Sequence, residues 1–117
     1  MISIVIASNQ PVVRAGLQAL ISKFPDYKIV GEAENFSDLK PLVSQFKPHI
    51  LLLGLRFPGS SSVRVVRWVR LHSRRTSTIV LVEQDLDAYL ATMIDAGAVG
   101  VLNSETPAET LELSISQ

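Results

Sequence analysis

The chain has no cysteine among its 117 residues. That excludes a disulfide framework and any thiolate metal site, and it suits a reducing cytosol. Long apolar runs are missing too. The longest uncharged apolar stretch, Ile50 to Leu55, falls far short of the roughly 20 residues that span a bilayer. Met1-Ile2-Ser3-Ile4 lacks the basic segment that opens a signal peptide, so a cytoplasmic module is the expectation. No GxGxxG or Walker pattern occurs, and the first strand-to-helix turn, Ala7-Ser8-Asn9-Gln10-Pro11, has no glycine to admit a phosphate. An enzyme of flavodoxin-like or nucleotide-binding type is therefore disfavoured. His49 and His72 stand apart without ligand-like spacing, and neither is assigned a metal.

Charge of one sign is missing from whole segments. Residues 39 to 82 hold Lys40, Lys47, Arg56, Arg64, Arg67, Arg70, Arg74 and Arg75 with no acid, a charge of +8. Residues 83 to 117 hold Glu83, Asp85, Asp87, Asp95, Glu105, Glu109 and Glu112 with no Lys or Arg, a charge of −7. The formal net charge of zero thus hides a polarised molecule.

What is present is an alternation of short apolar runs and helical stripes, with 47% apolar residues, enough for one domain with a core. Strands are expected over Ile2–Ala7, Lys28–Ala33, His49–Gly54, Thr78–Val82 and Val99–Leu102. Between them lie helical patterns. The first begins at Pro11, carries Val13, Leu17, Leu20 and Ile21 and ends near Phe24-Pro25; the second runs from Asn35 to Phe46 and is stopped by Pro48. The third, Val63 to Leu71, turns Val65, Val66 and Val69 inward, and the fourth, Leu86 to Ala96, closes at Gly97. Thr106-Pro107-Ala108-Glu109 reads as a capping box that opens a last helix. Strands apolar on both faces argue for a parallel sheet covered by helices on each side, an α/β fold of five βα units.

Five blocks in order resemble the response regulator receiver domains that precede LuxR-type helix-turn-helix regulators. They are Ile4-Val5-Ile6-Ala7 with Gln10-Pro11-Val12-Val13-Arg14-Ala15-Gly16-Leu17; Val30-Gly31-Glu32-Ala33; Leu53-Gly54-Leu55-Arg56-Phe57-Pro58-Gly59; Asp87-Ala88-Tyr89; and Ala96-Gly97-Ala98-Val99-Gly100. The resemblance spans residues 1 to about 112 and implies the CheY-like, doubly wound (βα)₅ fold with strand order 2-1-3-4-5. It also implies that a DNA-binding domain follows in the native protein; no helix-turn-helix lies within residues 1–117.

The positions that carry the family's chemistry depart from its pattern. By resemblance, two acids after the first strand would hold Mg²⁺, and Ser8 and Asn9 stand there with neutral oxygens, where the ion prefers anionic ones. The Asp that accepts the phosphoryl group is Gly54. The hydroxyl residue after strand four is Val82, the aromatic rotamer switch of strand five is Val101, and the Lys that pairs with the phosphoryl group is Ser104. Phosphoryl transfer needs a nucleophile and compensation of the charge on the equatorial oxygens. The expectation is a pseudo-receiver with no Mg²⁺ site, no cofactor and no catalysis.

The remaining polar features have plain readings beside sharper ones. Ser60-Ser61-Ser62 leads straight into the third helix and reads as its N-cap rather than as a substitute acceptor. Ser8 and Ser104 line a residual cleft, which is inert or, alternatively, senses a small molecule together with Asn9 and Gly54. Glu83 reads as a solvated loop residue. Arg64, Arg67, Arg70 and Arg74 recur at spacings of three and four, which puts them on one helical face with Trp68 at its edge. That face is a solvated surface, a protein-docking surface built from favoured hot-spot types, or a phosphate contact. Acidic residues would line the face formed by helix four, strand five and helix five, so a symmetric dimer there would oppose like charges and is disfavoured. A dimer through helices one and five stays open. The reading as a whole is a signalling module that acts through protein contact or self-association, with no membrane partner, and reaches DNA only through an appended domain.

Overall fold

Runs such as Ile4-Val5-Ile6-Ala7 and Leu51-Leu52-Leu53 are apolar at every position because both faces of their strands are covered, and all seven residues are fully buried. In a computed structural model, which describes residues 1–54, 59–82 and 86–103, the element order is β1 (Ile2–Ala7), α1 (Pro11–Ile21), β2 (Tyr27–Ala33), α2 (Phe36–Phe46), β3 (Ile50–Gly54), α3 (Ser62–His72), β4 (Ser77–Val82), α4 (Leu86–Ala96) and β5 (Gly100–Asn103). The strands pair in parallel in the order β2-β1-β3-β4-β5, as the resemblance implied. The predicted last helix, from Thr106, lies outside the described residues.

The sheet divides the core in two. On one face Val5, Ala7, Leu51, Leu53, Val80 and Val101 pack with Leu39 and Val43 of α2, with Val65, Val66 and Val69 of α3, and with Met93 and Ala96 of α4. On the other, Ile4, Ile6, Ile50, Leu52 and Ile79 meet Ile21, Leu17 and Leu20 of α1. Alternation along each strand decides which residue serves which layer.

The helix ends follow from local chemistry. Asn35 Oδ1 accepts from the Asp38 N–H at 2.8 Å, and Ser61 Oγ from the Arg64 N–H at 3.3 Å, so both side chains are N-caps. Pro41 lies inside α2 without ending it; it is solvent-exposed, so the carbonyl it leaves unpaired can be hydrated. The exit of α4 is a Schellman motif: the Ala98 N–H donates to Met93 O at 2.9 Å and the Gly97 N–H to Ile94 O at 3.0 Å. Gly97 adopts φ 122°, and a Cβ there would lie 2.7 Å from Arg70 Cδ. Gly16, in mid-α1, has no positive φ, and a Cβ there would have nothing within 4 Å.

Two glycine-to-alanine changes should therefore differ in sign. Gly16→Ala is expected to stabilise the fold by about 0.5–1 kcal/mol by removing backbone freedom from a helix interior. Gly97→Ala is expected to destabilise it by about 1–3 kcal/mol, from the strained backbone and the displaced Arg70 stem. Urea unfolding of the two variants checks both.

Candidate functional site

In an open parallel sheet, side chains converge where the strands end at their carboxyl side. The register Ala7↔Leu53 makes Ser8 and Gly54 the next residues out on the central pair of strands. Ser8 is 5% exposed; its N–H donates to Ala33 O at 2.9 Å, and its Oγ accepts from the Gln10 N–H at 3.2 Å. That hydroxyl oxygen is thus engaged in closing the turn into α1. Asn9 beside it is exposed.

Gly54 ends β3 opposite Leu81 of β4. A Cβ built on it would sit 3.5 Å from Ala7 O and 3.7 Å from Ser8 Oγ, which is ordinary contact, and its φ is not positive. Neither space nor backbone conformation demands glycine at this position. Val82 ends β4 opposite Asn103. Val101 pairs with Val80, two residues back from that end, and is buried in the core. The sheet therefore brings Ser8, Asn9, Gly54 and Val82 to one edge, while Val101 is set back from it. Ser104 and Glu83 lie outside the described residues.

A charged network at the same edge escaped the sequence reading. Arg14, on the first turn of α1, donates from Nη1 to Ser8 O at 2.6 Å and from Nη2 to Glu34 Oε1 at 3.1 Å. Its Nε lies 3.5 Å from Glu32 Oε1, and Gln18 Nε2 donates to the other oxygen of Glu32. A guanidinium with 15% side-chain exposure thus ties the carboxyl ends of β1 and β2 to α1 through charge-assisted hydrogen bonds. One signal for it was legible: Arg14 is the only charged residue in α1.

The basic stretch is arranged differently from the expectation. Arg64, Arg67 and Leu71 form the outward crest of α3, opposite the buried Val65, Val66 and Val69. Arg70 turns toward the exit of α4, its stem against Gly97. Arg74 is not on the helix, which ends at His72 with Ser73 as its C-cap; the spacing of four from Arg70 crosses that end. Trp68 is half-buried, edge-to-face with Phe36 of α2 at 5.6 Å and stacked on His72 at 4.3 Å. His72 Nδ1 lies 2.8 Å from Trp68 O, and His49 Nδ1 accepts from the Ser3 N–H at 3.1 Å, so each imidazole is engaged locally. Among the described residues no three His, Asp or Glu side chains lie close enough to hold a metal ion, and no helix is long and apolar enough to cross a membrane.

Comparison with known proteins fits this architecture. The response regulator receiver domain family matches residues 4–116. The transcriptional regulatory protein YxjL of Bacillus subtilis is 31% identical over 94% of this chain and 50% of its own length. The nitrate/nitrite response regulator protein NarL of Escherichia coli K12 is 28% identical over 98% of this chain and 53% of its own. The chain spans about half the length of these curated relatives. Among solved structures, a LuxR-family DNA-binding response regulator from Staphylococcus aureus superposes with a TM-score of 0.88 at 21% identity, covering 99% of this chain and 97% of that one. RcsB from Salmonella enterica, bound to promoter rprA in the presence of a phosphomimetic, superposes with a TM-score of 0.88 at 21% identity, over 98% of this chain and 66% of that one. Fold, matched span and relatives agree: the chain belongs to the response regulator receiver domain family, whose members are signalling modules, not enzymes.

Proposed function

We propose that this receiver domain regulates by contact, without aspartyl phosphorylation. The observation that carries the reading is Gly54: the acceptor position has room for a side chain and an ordinary backbone, yet offers no nucleophile. The neighbouring groups do not compensate. Ser8 and Asn9 bring only neutral oxygens, and Ser8 Oγ is already engaged with Gln10. Such a set does not fit Mg²⁺, which prefers anionic oxygen ligands. Glu34, a nearby carboxylate, is held by Arg14. The substitutions at Val82, Val101 and Ser104 point the same way.

The curated relatives are about twice as long as the matched span, which supports the reading that a DNA-binding domain follows this one in a larger protein. RcsB, seen as two dimers bound to two parallel DNAs, is the kind of assembly such a protein would form. Contact with DNA would then come through the appended domain, and the cytoplasm is its place of work. Self-association is expected away from a symmetric pairing of the acidic α4–β5 side, and a pairing through α1 and the last helix stays open. A small-molecule sensor in the cleft is the weaker reading, because no buried side-chain polar atom among the described residues lacks a hydrogen-bond partner.

Incubation with acetyl phosphate and Mg²⁺ is expected to leave the intact mass of the chain unchanged; a phosphoryl adduct would contradict the proposal. Gly54→Asp is expected to fold with unchanged circular dichroism and to remain unmodified, because a lone carboxylate beside Ser8 and Asn9 does not rebuild the ion site. Robust phosphorylation of that variant would show that Ser8 and Asn9 suffice. Crosslinks placed on α4 should capture no symmetric pair at low salt.

A further inference from the structure

The crest of α3 presents features that the core does not use. Arg64, Arg67 and Leu71 face solvent at helical spacings of three and four, with Leu71 76% exposed. Beside them Trp68 is held rigidly, its edge against Phe36 and one ring face covered by His72. Lys40 Nζ stands 4.5 Å above the Phe36 ring, a cation–π contact within α2 that adds a cation beside the same cluster. Both salt bridges among the described residues belong to Arg14, so Arg64 and Arg67 have no ion-pair partner there. Gly59 reaches this cluster as well. Gly59, at φ 102°, abuts Phe36 so closely that a Cβ on it would lie 3.0 Å from Phe36 Cβ.

We propose that this α2–α3 face docks an acidic, amphipathic segment of a partner protein. Carboxylates pair with Arg64 and Arg67, and an apolar side chain seats between Leu71 and Trp68. The inference rests on the reading that the domain signals by contact, and it names the surface. Charge sets the sign of the partner, since no acid occurs between residues 39 and 82. The exposed Leu71 selects protein over nucleic acid: a phosphate backbone would pair with the arginines and leave this apolar side chain, at the end of the same crest, idle. A preordered aromatic flanked by arginines is the composition of an interface hot spot, and its rigidity lowers the entropy cost of binding.

Trp68 is the sole tryptophan, so its fluorescence reports on this face alone. Three probes are titrated into the chain: a synthetic amphipathic helix bearing Glu on one face and Leu on the other, an oligoglutamate of the same net charge, and a mixed-sequence DNA duplex. The amphipathic peptide is expected to shift Trp68 emission saturably and to bind at least tenfold more tightly than either other probe. Arg64→Glu with Arg67→Glu should weaken it at least tenfold and Leu71→Ser several-fold. Lys23→Glu with Lys28→Glu, equal in charge but on the exposed surface around β2, should leave it within twofold. All these sites are exposed, and circular dichroism confirms that the variants fold. Equal or tighter binding of oligoglutamate or DNA overturns the proposal. So does indifference to the α3 charge reversal, or sedimentation showing that the signal comes from pairing of two copies. Phosphorylation is read separately, by mass. A chain that is phosphorylated yet binds the peptide refutes contact-only signalling and keeps this surface, and the opposite result refutes the surface alone.

Discussion

The pairing of β1 with β3 at the centre of the sheet is the constraint on which the rest of the structure depends. Its register, Ile4↔Ile50 through Ala7↔Leu53, fills both core layers at once, because alternate residues of each strand belong to opposite faces. A slip of one residue would turn every one of these side chains to the wrong layer. The same register delivers Ser8 and Gly54 side by side at the carboxyl edge. The scaffold that holds the fold is therefore the scaffold that builds the cleft, and the fold can persist when the chemistry at that edge changes.

At that edge, the neutral Ser8, Asn9 and Gly54 stand where the family's pattern calls for carboxylates. Ser8 closes the turn into α1, and Arg14 clasps its carbonyl together with Glu34, with Glu32 close by. The edge is internally paired among the described residues, which suits a structural junction better than a site awaiting an ion. That state of the edge supports the proposal of signalling by surface. Gly59 abuts Phe36, and Phe36 meets Trp68 edge-to-face.

Much of this was legible in the sequence because it depends on local rules. Apolar periodicity located five strands and four helices within a residue or two, save that α1 ends at Ile21, about three residues before the expected stop near Phe24-Pro25; Ser61 and Gly97 acted as the cap and the exit that their chemistry predicts, and Val65, Val66 and Val69 faced inward. The strand order came from the family resemblance, not from periodicity. Long-range contacts were not legible. Arg14 reaches Glu32 and Glu34 only because β1 and β2 pair in parallel, and Trp68 meets Phe36 only because α2 and α3 lie on the same face of the sheet. Arg74 was misplaced for the opposite reason: its spacing continued a pattern after the helix had stopped at His72.

Amide NMR of the chain with Mg²⁺ and beryllofluoride, which mimics a phosphoryl group, tests contact-only signalling most directly. Superimposable spectra, with Ser8, Asn9 and Gly54 unmoved, are the predicted result. Saturable shifts centred on those three amides would show that the cleft still binds the ion and the phosphoryl mimic, and would contradict it.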